Sequence, residues 1–104
     1  MNQYLPLKTK SAALGDDYYR CLSETLTRPH TRETIDECLR LARRYRTALR
    51  RQLKDLERLS DQRFVIRERE LIQKYLDLVE RDIRSLDQEQ INKLLRRRRK
   101  PTDQ

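Results

Sequence analysis

Apolar residues recur at helical spacing through the middle of the chain. From residue 31 to residue 59 there is no glycine or proline. The repeating positions alternate by three and four residues, and all but Gln52 are apolar or aromatic: Ile35, Cys38, Ala42, Tyr45, Leu49, Gln52, Leu56 and Leu59. One face of a long helix is therefore built to be covered by another element. We predict helix over 32–59, with Thr31 as its N-cap.

The same alternation returns from Val65 to Leu86, which predicts a second long helix over 62–84. A further apolar row lies beside this stripe, so the face is broader than a two-helix seam requires. We expect it to cover other helices of the chain or to receive a partner. The predicted apolar interface consists of Leu71, Ile72, Tyr75, Leu76, Val79 and Ile83.

The link between the two long helices lacks glycine and proline. Ser60 and Asp61 are both capping residues, and the apolar stripe changes phase after Leu59. These signals favour a turn, and hence a helical hairpin, over one continuous rod. The rod remains the alternative at 59–62.

The first residues carry helix-breaking signals. Pro6 and Gly15 predict an N-terminal arm over 1–15. Asp16 is a good N-cap, which predicts a short helix over 17–27 that ends before the Arg-Pro dipeptide.

Near the other end, Asp87 and Gln90 have the spacing of a capping box, and Leu86 and Ile91 that of a hydrophobic staple. They predict a last, basic helix over 88–99.

The fold class is therefore all-α: an antiparallel hairpin of two long helices with a short helix at each end. The helical domain spans 16–99, and a polar tail follows at 100–104.

Charge adds a second feature. The 104 residues are 40% charged and 36% hydrophobic, with a formal net charge of +8. An arginine band without acids lies on the first long helix and consists of Arg40, Arg43, Arg44, Arg46, Arg50, Arg51 and Lys54. A C-terminal basic block consists of Arg96, Arg97, Arg98, Arg99 and Lys100. Both predict contact with an acidic partner, although solvated surface is the alternative for the band and helix-dipole complementarity explains part of the block.

No arrangement of residues points to catalysis. His30 is the single histidine, the chain has one glycine and so no phosphate-binding glycine loop, and Cys21 and Cys38 cannot make a recognisable zinc site with it. We therefore predict no enzyme, cofactor, metal or small-molecule substrate. A disulfide between the cysteines would need their helices to pair closely, which we do not expect. No apolar run is long enough to span a membrane.

A short motif resembles that of the mitochondrial LYR-motif proteins, which are small, basic, all-helical adaptors with Leu-Tyr-Arg early in the first helix. Tyr18, Tyr19 and Arg20 are similar to that tripeptide, with tyrosine in place of leucine, and Tyr45-Arg46 stands where the family often has Phe-Arg. The resemblance implies a matrix subunit or assembly factor of a respiratory or iron–sulfur assembly.

From these features we expect a non-catalytic helical subunit or adaptor that packs into a larger assembly. Its partners would be protein subunits with an acidic surface. The alternative is a basic module that contacts RNA or DNA phosphates. We expect an intracellular location, mitochondrial if the resemblance holds, with the nucleus and cytoplasm left open.

Overall fold

The computed structural model describes residues 4–27, 31–59 and 63–99. This part of the chain is all-α, as predicted, and forms three helices. Helix α1 spans Tyr4–Thr27, α2 spans Arg32–Glu57 and α3 spans Arg63–Arg99. The ends of the chain and the two links, at 28–30 and 60–62, lie outside the described residues, as does the predicted tail at 100–104.

Helix α2 begins where the sequence predicts. Thr31 is the N-cap, its hydroxyl accepts a hydrogen bond from the backbone N–H of Thr34, and the Thr34 hydroxyl accepts one from the backbone N–H of Thr31. These reciprocal bonds satisfy backbone donors that the first turn leaves free. The predicted stripe is confirmed: its members from Ile35 to Leu56 are buried, and Leu59 is half-buried.

Helices α1 and α3 both pack along α2. Arg50 of α2 contacts Glu80 of α3, whereas Asp36, nearer the start of α2, contacts Gln90, nearer the end of α3. Helix α3 is therefore antiparallel to α2. The turn predicted after Leu59 is therefore favoured over a continuous rod, with α2 ending at Glu57 and α3 beginning at Arg63.

Helix α1 is also antiparallel to α2. Tyr4 contacts Gln52 at one end, and the two cysteines meet at the other. The sequence-based expectation that the cysteine-bearing helices would not pair closely was wrong, because α1 packs antiparallel along α2 and places Cys21 against Cys38.

Two tyrosines join α1 to α3. The hydroxyl of Tyr4 donates to Glu68, and that of Tyr18 donates to Asp82 at 2.8 Å. Both pairs are separated by 64 residues, so the two helices run parallel with a constant register. The described chain is an up-down-up arrangement around one buried core. That core consists of Tyr4, Tyr18, Ile35, Leu39, Ala42, Tyr45, Leu49, Leu56, Val65, Ile72, Leu76, Val79 and Ile83.

The predicted arm over 1–15 was wrong for the described residues, because α1 begins at Tyr4. Pro6 lies in the first turn, where a missing backbone N–H disrupts no helical hydrogen bond. Gly15 lies within the helix, and a Cβ there would be 3.0 Å from two ring atoms of Tyr45. The glycine therefore permits close packing of α1 on α2, and the short helix predicted at 17–27 is the second half of a 24-residue helix.

The predicted break before 88–99 was also wrong, because α3 continues without interruption for 37 residues. Asp87 accepts a hydrogen bond from Arg43 at 3.1 Å, and the Gln90 amide donates to Asp36. Leu86 packs against the core. Leu86, Asp87 and Gln90 thus pack within the chain, whereas Ile91 is exposed, and no glycine or proline interrupts the helix.

Gly15→Ala is expected to destabilise the protein. In an open helical position this change stabilises by about 1 kcal/mol, but here the added methyl group meets the buried Tyr45 ring. The ring has little room to move, because it contacts the rings of Tyr18 and Tyr19. We expect a net loss of about 1 kcal/mol in the free energy of unfolding, measured by chemical denaturation.

A double-mutant cycle with Tyr45→Leu isolates the cause. Without the ring, Gly15→Ala should become neutral or stabilising. A gain in stability from Gly15→Ala in both backgrounds would show that the contact imposes no constraint.

Candidate partner-binding site

The arginine band is divided by the packing of α3. Arg43 donates to Asp87 at 3.1 Å, and Arg50 donates to Glu80 at 2.8 Å. Each pair is separated by one heptad from the other, which matches antiparallel helices in register. All four groups are at least partly exposed, so each ion pair contributes little to stability. Two of the predicted partner-binding arginines are therefore already paired with acids of their own chain.

Two other members of the band lie in different surroundings. Arg40 pairs with Glu37 on its own helix, and hydrogen bonding to this guanidinium lowers the pKa of the Glu37 carboxyl. Arg46 is half-buried. Neither is presented on the surface as a free cation, so the band as a whole is not one binding face.

The remaining cations surround a groove between α1 and α2. Arg44 and Arg51 of α2 lie on one side of it, and Lys10 of α1 lies on the other. The groove has a volume of about 310 Å³. We call it the cationic groove; its lining residues are Leu7, Lys10, Leu14, Arg43, Arg44, Thr47, Ala48 and Arg51.

The floor of the cationic groove is apolar. Leu7 and Leu14 of α1 face Ala48 of α2 across it. The two leucines are seven residues apart, so both lie on the same face of α1. Apolar groups under a charged rim suit an amphipathic ligand better than a free anion.

A second depression extends the groove toward the end of α2. It has a volume of about 250 Å³ and is lined by Leu7, Arg51, Lys54, Asp55 and Arg58. Leu7 and Arg51 line both depressions, which are therefore adjacent. Arg44, Arg51 and Arg58 recur every seventh residue and are spaced about 10 Å apart along the helix axis.

The rim carries charge that the protein does not neutralise by close pairing. Among the residues that the structure describes, no carboxylate lies within 4.0 Å of the charged groups of Lys10, Arg44, Arg51 or Lys54. Asp55 is the acid in the lining, and it is half-buried. The cationic groove thus presents a net positive edge beside an apolar floor.

The apolar face predicted on α3 is mostly used within the chain. Ile72, Leu76, Val79 and Ile83 are buried, because α2 packs against them. Of that predicted set, Leu71 and Tyr75 remain exposed, at 40% and 38%. The predicted set therefore leaves only these two side chains exposed to a partner.

The three residues of the LYR-like motif point in different directions. Tyr18 is fully buried, whereas Tyr19 is 42% exposed and Arg20 is exposed. Burial, followed by the hydrogen bond to Asp82, raises the pKa of Tyr18. The tyrosine in the leucine position thus supports the fold, and the tripeptide does not form one exposed surface.

The C-terminal basic block lies largely outside the described residues. The backbone of Arg96, Arg97, Arg98 and Arg99 continues α3, but their side chains and Lys100 lie outside the described residues. Because Gln90 contacts Asp36 near the start of α2, the last turns of α3 extend past that helix.

Within 4–27, 31–59 and 63–99, no three His, Cys, Asp or Glu side chains are grouped in a way that could hold a metal ion. None of the described helices contains a segment apolar enough to cross a bilayer.

Comparison of the chain with protein-family models, curated proteins and solved structures finds no match. The LYR-motif resemblance therefore stays a prediction from the sequence.

Sequence reasoning missed the α1 side of the groove. Leu7, Lys10 and Leu14 have the three- and four-residue spacing of a helical face, which was a usable signal. Pro6 and Gly15 concealed it, because both were interpreted as breaks rather than as a first-turn residue and a contact residue.

Proposed function

We propose that this protein is a non-catalytic helical adaptor that binds an acidic, amphipathic helix of a partner protein in the cationic groove. The observation that carries the proposal is the apolar floor of Leu7, Leu14 and Ala48 below the unpaired cations of Lys10, Arg44 and Arg51. An amphipathic helix supplies both complements, with apolar residues for the floor and carboxylates for the rim.

The dimensions of the groove suit such a ligand. Arg44 to Arg58 spans about 21 Å along α2, which corresponds to about four turns of helix. Carboxylates repeated at heptad spacing on the ligand would meet arginines at the same spacing. Rim charges of this kind favour rapid association and partner selection more than tight binding.

The rival function, binding of nucleic acid through phosphates, uses only part of this site. Phosphate contacts need the cations but not the leucine floor. Among the residues that the structure describes, the groove lining contains no aromatic side chain on which a base could stack. Arg43, which also lines the groove, and Arg50 are paired with acids of α3, so neither adds an unpaired cation to the surface. The groove therefore favours a protein ligand.

Reversal of two rim charges should abolish most partner capture. We expect Arg44→Glu combined with Arg51→Glu to weaken binding about 30–100-fold, because two attractive contacts become repulsive. The measurement is affinity capture from native extract with the full chain as bait, followed by quantitative mass spectrometry and cross-linking to locate the bound segment. Arg63→Glu with Arg67→Glu is the matched control, since both residues are exposed on α3 and the charge change is the same.

A partner that is lost with the rim variant, retained with the control and cross-linked through an acidic helix supports the proposal. Equal capture by both variants would contradict it. Nuclease treatment distinguishes the rival function, because material that disappears with the nuclease was held by nucleic acid. Leu7→Ser gives a second distinction. It should lower the affinity for a protein ligand that contacts the apolar floor and leave salt-dependent phosphate binding unchanged.

A further inference from the structure

The two cysteines form an unassigned pair on neighbouring helices. Cys21 of α1 and Cys38 of α2 are free thiols with their Sγ atoms 2.8 Å apart. The helices are antiparallel and pack along each other, so a bond between the sulfurs needs little movement of either side chain. The two cysteines are 17 positions apart in the sequence, so it is the packing of α1 on α2 that brings their sulfurs together.

A threonine holds the pair in place. The Thr25 hydroxyl donates to the backbone carbonyl of Cys21 at 2.8 Å and lies 3.3 Å from the Cys38 sulfur. Thr25 is itself buried. The three side chains form a small polar cluster at the α1–α2 interface.

The two thiols differ in access. Cys38 is fully buried, whereas Cys21 is half-buried and lines a surface cavity of about 360 Å³. Glu24 and Glu37 line the same cavity. A small reagent can therefore react with the Cys21 sulfur, whereas the buried Cys38 sulfur is not directly accessible to it.

Burial, followed by the hydrogen bond with Cys38, raises the pKa of the Cys21 thiol to about 12. At neutral pH the thiolate fraction is small, so Cys21 is a slow nucleophile. We expect the rate of any exchange at this thiol to increase with pH. The geometry of the pair, rather than an activated thiol, favours the second step of the exchange.

We propose that Cys21 and Cys38 are a covalent modification site, a dithiol that closes to an intramolecular disulfide linking α1 to α2. The oxidant is a small disulfide such as oxidised glutathione. The Cys21 thiolate attacks one sulfur of the reagent, a mixed disulfide forms, and the first thiol leaves. The Cys38 thiolate then attacks the Cys21 sulfur, the protein disulfide forms, and the second thiol leaves. The two protons lost by the cysteines are taken up by the departing thiolates.

The disulfide would stabilise the fold by holding α1 against α2. It closes a loop of moderate length, which reduces the freedom of the unfolded chain. For a domain of this size, the midpoint of thermal unfolding is expected to rise by roughly 10–20 °C. Its formation does not depend on what the groove binds.

The test uses the full chain, reduced and then incubated with oxidised glutathione, with free thiols alkylated after denaturation. We expect the intact mass to decrease by two hydrogen atoms, with no alkylation and no dimer. Trypsin cuts after Arg20, Arg32 and Arg40, whereas the Arg28-Pro29 bond resists cleavage. The disulfide should therefore join peptide 21–32 to peptide 33–40.

The rise in the thermal midpoint should be reversed by a reductant and should be absent in both Cys21→Ser and Cys38→Ala. A stable glutathione adduct on Cys21 with Cys38 still alkylated would overturn the proposal. So would disulfide-linked dimers, or two alkylated thiols after prolonged oxidation. The decisive measurement is made on the unmodified sequence, so the outcome does not depend on whether either variant folds.

Discussion

Replacement of Tyr18 with alanine is expected to lower the free energy of unfolding by about 3–5 kcal/mol, because the side chain is fully buried where all three helices meet. Its ring centroid lies 4.9 Å from that of Tyr19 and 6.2 Å from that of Tyr45. Its hydroxyl donates to Asp82 of α3. The substitution removes the ring contacts, leaves a cavity and breaks the link between α1 and α3 at once. Chemical denaturation followed by far-UV circular dichroism measures the loss.

Tyr18→Phe separates the hydrogen bond from the packing. It retains the ring and should cost only about 1 kcal/mol, since Asp82 is half-buried and water can solvate its carboxylate. Tyr19→Ala is the matched control, because the residue is adjacent in sequence but 42% exposed. A larger loss from Tyr19→Ala than from Tyr18→Ala would mean that α1 presents a different face to the core.

This result also bears on the LYR-like motif. If Tyr18 is required for folding, its presence in that motif is explained by the core alone. A binding role for the tripeptide would then rest on Tyr19 and Arg20, which are exposed. Tyr19→Ala with retained stability would allow that role to be examined separately.

The parts of the fold that could be predicted from the sequence depend on local signals. The buried stripe of α2 follows from three- and four-residue spacing over a segment without glycine or proline, and Thr31 is recognisable as a cap from its residue type and position. The core positions of α3 follow from the same spacing. Each of these signals is complete within one helix, so no knowledge of the neighbours is needed.

The wrong boundaries arose where the meaning of a residue depends on another helix. In the sequence Gly15 resembles a helix end, whereas in the structure it leaves room for the ring of Tyr45. In the sequence Asp87 resembles an N-cap, whereas in the structure its carboxylate accepts a hydrogen bond from Arg43. Sequence spacing cannot distinguish these roles, because a cap and an interhelical contact use the same polar side chains.

The candidate site was predictable only in part for the same reason. The absence of acids from Arg40 to Lys54 is visible in the sequence and correctly marks α2 as cationic. Which arginines are paired with acids of α3 and which stay unpaired at the groove depends on how α3 and α1 are rotated about α2. Arg43 and Arg44 are adjacent in sequence, yet only Arg43 pairs with Asp87. The site therefore became defined only when the packing of all three helices was known.

Loss of Glu68 is the second change with a large expected effect. This buried carboxylate of α3 accepts a hydrogen bond from Tyr4 and pairs with Lys8 at 3.0 Å, and Gln52 of α2 donates to the Tyr4 hydroxyl at 2.8 Å. The network joins all three helices at one end of the core. Glu68→Ala should lower the free energy of unfolding at neutral pH by about 3 kcal/mol, because the buried Tyr4 hydroxyl loses its acceptor.

The contribution of Glu68 to the free energy of unfolding should also depend on pH. Burial raises the pKa of Glu68, but the hydrogen bonds from Tyr4 and Lys8 outweigh it, and the net pKa is lowered. The folded protein therefore holds this proton less tightly than the unfolded chain does. The contribution is complete above the unfolded pKa of about 4.3 and is lost as the pH falls through the lower folded value.

Glu68→Gln tests the charge while keeping an acceptor for Tyr4. The difference in unfolding free energy between the unmodified protein and this variant should be constant from about pH 6 to pH 8 and should shrink below about pH 4. Glu70→Gln, on the exposed side of the same helix, should show little difference at any pH. A difference for Glu68→Gln that stays constant into acid would mean that the charge of Glu68 does not stabilise the fold, and the network would then act only through its neutral hydrogen bonds. Such a result would assign the joining of the three helices at this end to Tyr4 rather than to the ion pair with Lys8.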